Sequence, residues 1–287
     1  MTETGSLASG DDTRRLTSAL ESVRQRVPYL RATAQPVDVV TAGAAEVADG
    51  AFVGCASLID DPNWLRALIV HTGHRIGTDD PMVAASLFVQ SYSYRLLTLA
   101  IACATTSGVV PDSSAPATAI ALKGGRVSMV AYTTPAVFTL SPPGHASSTP
   151  LADESQWAAL FDLVHAHAVE RHLAPLIDAV RSTVRVGERL LWGNVAASLA
   201  VAFRTMEGCQ GEWVRELGDY FVEHSPPRMS GLGSYLVLEN GDRRGWFWER
   251  TNCCLYDRLP GNVRCADCSR TPRAVRREAY RATLDDQ

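Results

Sequence analysis

The side chains of this chain best suited to chemistry are its cysteines, and four of the seven lie within sixteen residues near the C-terminus. Cys253 and Cys254 are adjacent, ten residues follow, and Cys265 and Cys268 then form a Cys-x-x-Cys turn. Thiolates spaced this closely are typical of disulfides, a structural zinc ion, an iron–sulfur cluster or a redox-active Cys-x-x-Cys. What these four thiols hold therefore decides much of the function.

Several features of the chain argue against disulfides. Residues 1–12 are polar and acidic, without the basic start and apolar run of a signal peptide. The apolar-leaning stretch at 82–104 is interrupted by polar residues at 90–95, which argues against a membrane span. We therefore expect a cytoplasmic protein, and a reducing cytosol disfavours disulfides. An odd number of cysteines also argues against a fully paired set.

The spacing of the four cysteines leaves the metal open. Structural zinc sites usually pair two turns of the Cys-x-x-Cys kind, and only Cys265 and Cys268 form one. Neighbouring residues of an extended chain point to opposite sides, so Cys253 and Cys254 reach one small ion only if the backbone bends. A cluster of two irons is wider, and each iron takes two thiolates. Spacing therefore favours iron–sulfur over zinc and over a redox-active pair, although it does not match the usual ferredoxin patterns.

The C-terminal motif Cys-Cys-x10-Cys-x-x-Cys, which begins with Cys-Cys-Leu-Tyr-Asp-Arg-Leu-Pro-Gly at 253–261, resembles the FhuF family of ferric-siderophore reductases. The apolar helix that contains Trp192, Gly193 and Asn194 also resembles the body of that family. The resemblance implies that a [2Fe–2S] cluster is held by Cys253, Cys254, Cys265 and Cys268.

A cytoplasmic ferric-siderophore reductase is the activity that this resemblance implies. Ferric iron is a hard cation that siderophore oxygens hold tightly, whereas ferrous iron is bound more weakly and exchanges faster. One electron therefore releases the metal. The implied partners are a ferric siderophore as substrate and a separate electron donor, a ferredoxin or a reductase, because no flavin or nicotinamide motif is present. We also expect peripheral association with a siderophore importer at the inner face of the membrane.

Two alternatives come from other functional classes: a zinc-stapled, non-catalytic siderophore-binding protein, and a ferredoxin-like electron shuttle with a different acceptor. The net charge of −4 gives no overall basic field, so nucleic acid is not an expected partner. Arg250, Arg258 and Arg264 flank the cysteines. They either raise the cluster potential or attract an acidic donor, or they are ordinary solvated arginines.

The surrounding sequence predicts an α+β protein with a mostly helical body, antiparallel β-hairpins and a C-terminal cysteine-rich lobe. Asp61-Pro62 and Asp80-Pro81 each read as a helix cap followed by proline, and Asp153 reads as the start of a further helix. The helix that begins at 81 should run towards Gly108.

Two hairpins are predicted from alternating apolar strands around turn residues. Residues 117–122 and 127–132 flank a glycine turn and define a central hairpin region at about 117–140. Asn240-Gly241 predicts a second hairpin, whose last strand carries Trp246 and Trp248 on one face. We expect these tryptophans to shield the cysteine site from water, with stacking on a siderophore as the alternative. The predicted domains are a body at 1–229 and a cluster-binding segment at 230–287.

Overall fold

The computed structural model describes residues 10–40, 50–123, 126–140, 151, 153–261 and 264–285. Within these ranges the α-helices are α1 (Gly10–Arg26), α2 (Cys55–Asp60), α3 (Pro62–Ile76), α4 (Pro81–Ser107), α5 (Glu154–Leu163), α6 (Ala174–Thr183), α7 (Glu188–Gln210), α8 (Trp213–Glu223) and α9 (Arg273–Asp285). The strands are β1 (Ala32–Thr33), β2 (Val39–Val40), β3 (Phe52–Gly54), β4 (Val109–Pro111), β5 (Thr118–Lys123), β6 (Arg126–Tyr132), β7 (Val137–Thr139), β8 (Gly233–Asn240) and β9 (Arg243–Arg250). The architecture is α+β, as predicted.

Helix starts that were predicted from local chemistry are confirmed. The carboxylate of Asp61 accepts hydrogen bonds from the N–H groups of Asn63 and Trp64 at the start of α3. Asp80 accepts one from Met82 at the start of α4, and Asp153 accepts one from Gln156 in α5. Such caps satisfy backbone donors that the first helical turn leaves without partners.

Helix α4 is long and apolar enough to cross a membrane by length and composition, but 72% of its most apolar window is buried inside the protein. Its buried side chains include Phe88, Leu97 and Ile101. The helix therefore has the burial expected of a core helix rather than of a span that faces lipid.

The chain forms two compact units, and the sequence passes from one to the other within α3, α4 and α6. Unit 1 consists of Met1–Trp64 and Arg95–Leu176, and unit 2 of Leu65–Tyr94 and Ile177–Gln287. These units are defined by contacts along the folded chain. The sequence-based boundary at residue 229 stays a prediction.

Unit 1 contains a five-stranded sheet in the order β1-β6-β5-β3-β2. The predicted central hairpin is confirmed as antiparallel β5 and β6, although the two glycines of its turn, 124 and 125, lie outside the described residues. Strands β1 and β2 pair in parallel with β6 and β3. The sequence did not predict these short strands. Strand β7 lies at the end of the region predicted at about 117–140, and it pairs with β4 rather than with the hairpin.

A π-helix, Val164–Leu173, interrupts the helical run of unit 1. His167 and His172 lie five residues apart, which is the hydrogen-bond spacing of a π-helix. Their Nδ1 atoms lie 2.8 Å from a carboxylate oxygen of Asp112 and 2.7 Å from the carbonyl oxygen of Ser113, respectively. The two histidines therefore anchor this helix to two consecutive loop residues, His167 to Asp112 and His172 to Ser113.

The predicted second hairpin is confirmed in unit 2 as β8 and β9, with Gly241 at a φ of 59° in its turn. Because side chains alternate along a strand, β9 has two different faces. On one face Phe247 stacks on Tyr280 of α9, with ring centroids 4.7 Å apart. On the other face Trp246 stacks on Tyr235 at 3.8 Å and packs against Gly218 of α8.

Candidate metal centre

The segment that contains the four cysteines, from Cys253 to Cys268, is called the cysteine segment. It directly follows β9 and turns sharply at Leu255. Leu255 has a φ of 67°, in the left-handed region that residues with a Cβ rarely adopt. This conformation brings the Leu255 N–H to 3.3 Å from the sulfur of Cys253, to which it donates a hydrogen bond. Leu255 and Leu259 then pack on Val83 at the start of α4. Apolar packing therefore stabilises a bent backbone beside a candidate ligand.

The four cysteines meet as two pairs. The sulfurs of Cys253 and Cys268 and a carboxylate oxygen of Asp257 all lie within 4.8 Å of one another. The thiols of Cys254 and Cys265 hydrogen-bond to each other. Each of the two adjacent cysteines thus faces one member of the Cys-x-x-Cys turn. All four are reduced in this structure, and Cys254 and Cys268 are buried.

Electrostatics differ between the two pairs. The hydrogen bond from Cys265 and, to a lesser extent, the Arg250 guanidinium lower the pKa of Cys254 to about 6 against the opposing effect of burial. The same hydrogen bond raises the pKa of Cys265. Burial raises the pKa of Cys253 to about 11, although the Leu255 N–H opposes this shift. Binding of a metal to all four thiolates would therefore release protons.

A buried hydrogen-bonded chain leads from β9 through α7 and α4 to the cysteine segment. Arg250 donates from Nη2 to Oδ1 of Asn194 at 2.8 Å. Asn194 donates from Nδ2 to the carbonyl oxygen and to the hydroxyl of Ser86, both at 2.9 Å. The Ser86 hydroxyl donates to the carbonyl oxygen of Cys254 at 2.7 Å. Three helix and strand residues thus fix the backbone of Cys254.

Gly193, next to Asn194 in α7, allows the cysteine segment to approach closely. A Cβ at this position would overlap the carboxamide of Asn252, the residue before Cys253. Asn252 in turn donates to the carbonyl oxygen of Leu190 at 3.1 Å. Gly193 therefore lets Asn252 lie against α7, and Asn194 connects α7 to Arg250 and Ser86.

The three arginines that flank the cysteines have different environments. Arg250 is only 1% exposed, so its interpretation as a solvated arginine is wrong. Arg258 and Arg264 are half-exposed. Nη1 of Arg258 lies 3.8 Å from a carboxylate oxygen of Asp80, and Nε of Arg264 lies 3.9 Å from one of Asp257. Hydration and pairing weaken the effect of the latter two charges.

Sequence reasoning missed Asp257, Ser86 and Asn194 as parts of the site. Asp257 is largely buried, accepts from Arg270 at 2.9 Å and lies 3.5 Å from the Cys253 sulfur. Its position four residues after Cys253, within the cysteine segment itself, was an available signal. Ser86 and Asn194 are far away in sequence and only the fold brings them near Cys254.

The tryptophans Trp246 and Trp248 are both buried, as expected for shielding residues. Their ring contacts are with Tyr235, and Trp246 and Trp248 also cover Gly218 and Gly233 respectively. The contacts observed therefore place them in the packing of the hairpin against helices. Shielding of the cysteines and stacking on a siderophore both stay predictions.

The fold and the thiols together define the class of protein as a helical α+β chain with a C-terminal group of cysteines that could hold a metal ion. The family model "Ferric iron reductase FhuF-like transporter" matches residues 86–231, which is half of the chain. The chain therefore belongs to this family. The match includes Ser86 and all of α7, and it ends before the cysteine segment.

A solved structure with a similar fold is the aerobactin synthetase IucA from a hypervirulent pathotype of Klebsiella pneumoniae, with a TM-score of 0.51 and 13% sequence identity. The alignment covers 83% of this chain and 49% of the synthetase, so the present chain spans about half the length of that protein. At this identity the likeness concerns the fold alone. Comparison with curated proteins gives no match.

Proposed function

We propose that this protein is a cytoplasmic ferric-siderophore reductase that delivers one electron through a [2Fe–2S] cluster held by Cys253, Cys254, Cys265 and Cys268. Family membership supports a role in the reduction of siderophore-bound ferric iron. The observation that carries the cluster assignment is the arrangement of the four thiols as two pairs, with the adjacent Cys253 and Cys254 in different pairs.

The donor set fits a binuclear cluster. Thiolates are soft ligands that suit iron–sulfur clusters and zinc, and each iron of a [2Fe–2S] cluster takes two of them. If each pair held one iron, Cys253 with Cys268 and Cys254 with Cys265, each iron would take one ligand from the adjacent cysteines and one from the Cys-x-x-Cys turn. When bound, such a cluster supplies one-electron reduction.

Residues of the chain around the thiols have separate tasks in this proposal. The Leu255 N–H donates to the Cys253 sulfur, and hydrogen bonds to ligand sulfurs tune cluster potentials. Ser86 fixes the backbone of Cys254. Val83 and Leu259 exclude water from one side of the segment. Cys253 and Cys265 are half-buried, which leaves an approach for substrate and donor.

The proposed substrate is a ferric siderophore and the proposed donor is a separate protein, a ferredoxin or a reductase. One electron converts Fe(III) to Fe(II), and siderophore oxygens then hold the metal less tightly. No acid, base or nucleophile of the protein is required for this step. Peripheral association with a siderophore importer at the membrane belongs to the same proposal.

Protein purified under anaerobic conditions tests the proposal. It should contain two irons and two acid-labile sulfides per chain, and after reduction it should release ferrous iron from a ferric siderophore to a ferrous chelator. Single Cys→Ser variants at 253, 254, 265 and 268 should lose iron, whereas the matched control Cys209→Ser should keep it. Full iron content in two or more of the four variants would contradict the ligand assignment.

A zinc site is the second candidate, because Cys253, Asp257 and Cys268 alone offer three donors to a single ion. This would make the protein a zinc-stapled siderophore-binding protein. Protein that contains one zinc and no sulfide would support it. A ferredoxin-like shuttle is separated from a reductase by the chelator assay, because a reduced shuttle for another acceptor leaves the ferric siderophore intact.

A further inference from the structure

The guanidinium of Arg250 is a buried cation beside the cysteine site. Its side chain ranks among the largest fully buried side chains. Within the described parts of the chain, its hydrogen-bond acceptor is the neutral carboxamide of Asn194, and its Nε has no partner. A buried charge of this kind is costly unless an opposite charge compensates it.

The carboxylate nearest in sequence to Arg250 is engaged elsewhere. Glu249 points to the opposite face of β9, where it pairs with Arg273 at 2.9 Å and with Arg277 at 3.3 Å. Arg276, which is also buried, donates to the carbonyl oxygen of Arg250 and brings a second positive charge to the same end of β9. Glu249 is therefore not the group that compensates the charge of Arg250.

The cysteine segment provides that group. Arg250 lies three residues before Cys253 and is joined to the Cys254 carbonyl through Asn194 and Ser86. Four thiolates around two ferric ions and two sulfides carry a net charge of −2, and one added electron makes it −3. A fixed cation in a site of low dielectric stabilises the more negative state more strongly.

We propose that Arg250 is a positioning and charge-compensating residue whose buried guanidinium favours the reduced state of the metal centre. Asn194 holds the guanidinium in place, and Ser86 carries the same hydrogen-bonded chain to the backbone of Cys254. This proposal rests on the proposed function, since it assigns to Arg250 the tuning of the cluster that the four cysteines hold.

The test is a spectroscopic redox titration of the loaded protein, which needs no substrate. Arg250→Met should lower the ratio of reduced to oxidised cluster at a fixed potential by about tenfold, which is about 59 mV for one electron. Arg250→Lys keeps the charge but loses the planar fork, and should stay within about threefold of wild type. Arg258→Met, the matched control at a half-exposed arginine, should stay within about twofold.

Asn194→Asp offers the same test with Arg250 in place. This substitution puts a carboxylate where the amide oxygen of Asn194 accepts from the guanidinium, and so neutralises the cation. The ratio of reduced to oxidised cluster should then shift in the same direction as in Arg250→Met. A loaded Arg250→Met variant with the wild-type potential would overturn the proposal.

Failure of a variant to load is also informative. If Arg250→Met lacks cluster while Arg250→Lys carries the wild-type amount, the charge is needed and the proposal stands. If both lack cluster, the fork geometry rather than the charge is needed and the proposal is wrong. Wild-type protein without iron or sulfide would instead refute the proposed function.

Discussion

Substitution of Gly193 by alanine should destabilise the protein because of a single neighbouring side chain. A Cβ at Gly193 overlaps the carboxamide of Asn252, whose short side chain is tied to the Leu190 carbonyl and has little room to move. Overpacking of this kind costs about 1–3 kcal/mol, and loss of the Asn252 hydrogen bond costs about 1 kcal/mol. Alanine in place of glycine within a helix returns about 1 kcal/mol. The net loss should be about 2 kcal/mol.

The same substitution should change sign when Asn252 is shortened. In an Asn252→Ala background the carboxamide that the new methyl group would overlap is gone, so Gly193→Ala should stabilise α7 by about 1 kcal/mol. The coupling in this double-mutant cycle is then about 3 kcal/mol, at the upper end for residues in contact. Gly208→Ala is the matched control, because Gly208 lies in the same helix and a Cβ added there meets nothing within 4 Å. This substitution should leave the free energy of unfolding unchanged or raise it.

Chemical denaturation of the four proteins of the cycle and of the control measures these effects. Iron content should fall in the single variant Gly193→Ala, because displacement of Asn252 also moves Cys253, the next residue. Equal effects of Gly193→Ala in both backgrounds would refute the argument that Asn252 is the reason for the glycine.

Three further predictions concern other parts of the two units. Burial lowers the pKa of His172 to about 4, so the unfolded chain takes up this proton first and stability should fall as the pH drops from about 6.5 towards 4. The free energy of unfolding should fall by on the order of 3 kcal/mol over this range, and chemical denaturation of His172→Gln should not show this fall. If the fall is unchanged in His172→Gln, His172 is not its cause. Ser86→Ala leaves the Cys254 carbonyl without its donor and should lower the free energy of unfolding by about 1–3 kcal/mol, whereas Ser182→Ala at an exposed position of α6 should lower it by less than about 0.5 kcal/mol. Asp257→Asn should keep wild-type iron content in metal analysis, and loss of the metal would make Asp257 a ligand and favour the single-ion site.

The parts of the fold that follow from local chemistry could be predicted. Asp61, Asp80 and Asp153 cap helices through bonds to residues two or three positions away, so short sequence windows contain the signal. Asn240-Gly241 determines its hairpin in the same way. Strands β1 to β3 could not be read, because strands of two or three residues show no period and their partners are far along the chain.

The four cysteines of the candidate site could be grouped from the sequence, but the residues around them could not. Spacing alone grouped Cys253, Cys254, Cys265 and Cys268, because all four lie within one short segment. The roles of Asn194 and Ser86 depend on contacts between α7, α4 and that segment. Burial of Arg250 depends on the packing of β9. Contacts between side chains that lie more than fifty positions apart in the sequence leave no periodic signal in it.

The measurement that tests the central claim most directly is electron paramagnetic resonance of anaerobically purified protein after reduction with dithionite, quantified against its iron. The four-cysteine [2Fe–2S] assignment predicts one unpaired electron for every two irons, and loss of the signal when Cys254 is replaced by serine and the iron is lost. A silent spectrum from protein that contains zinc, or that lacks acid-labile sulfide, would contradict the assignment and with it the proposed path of the electron.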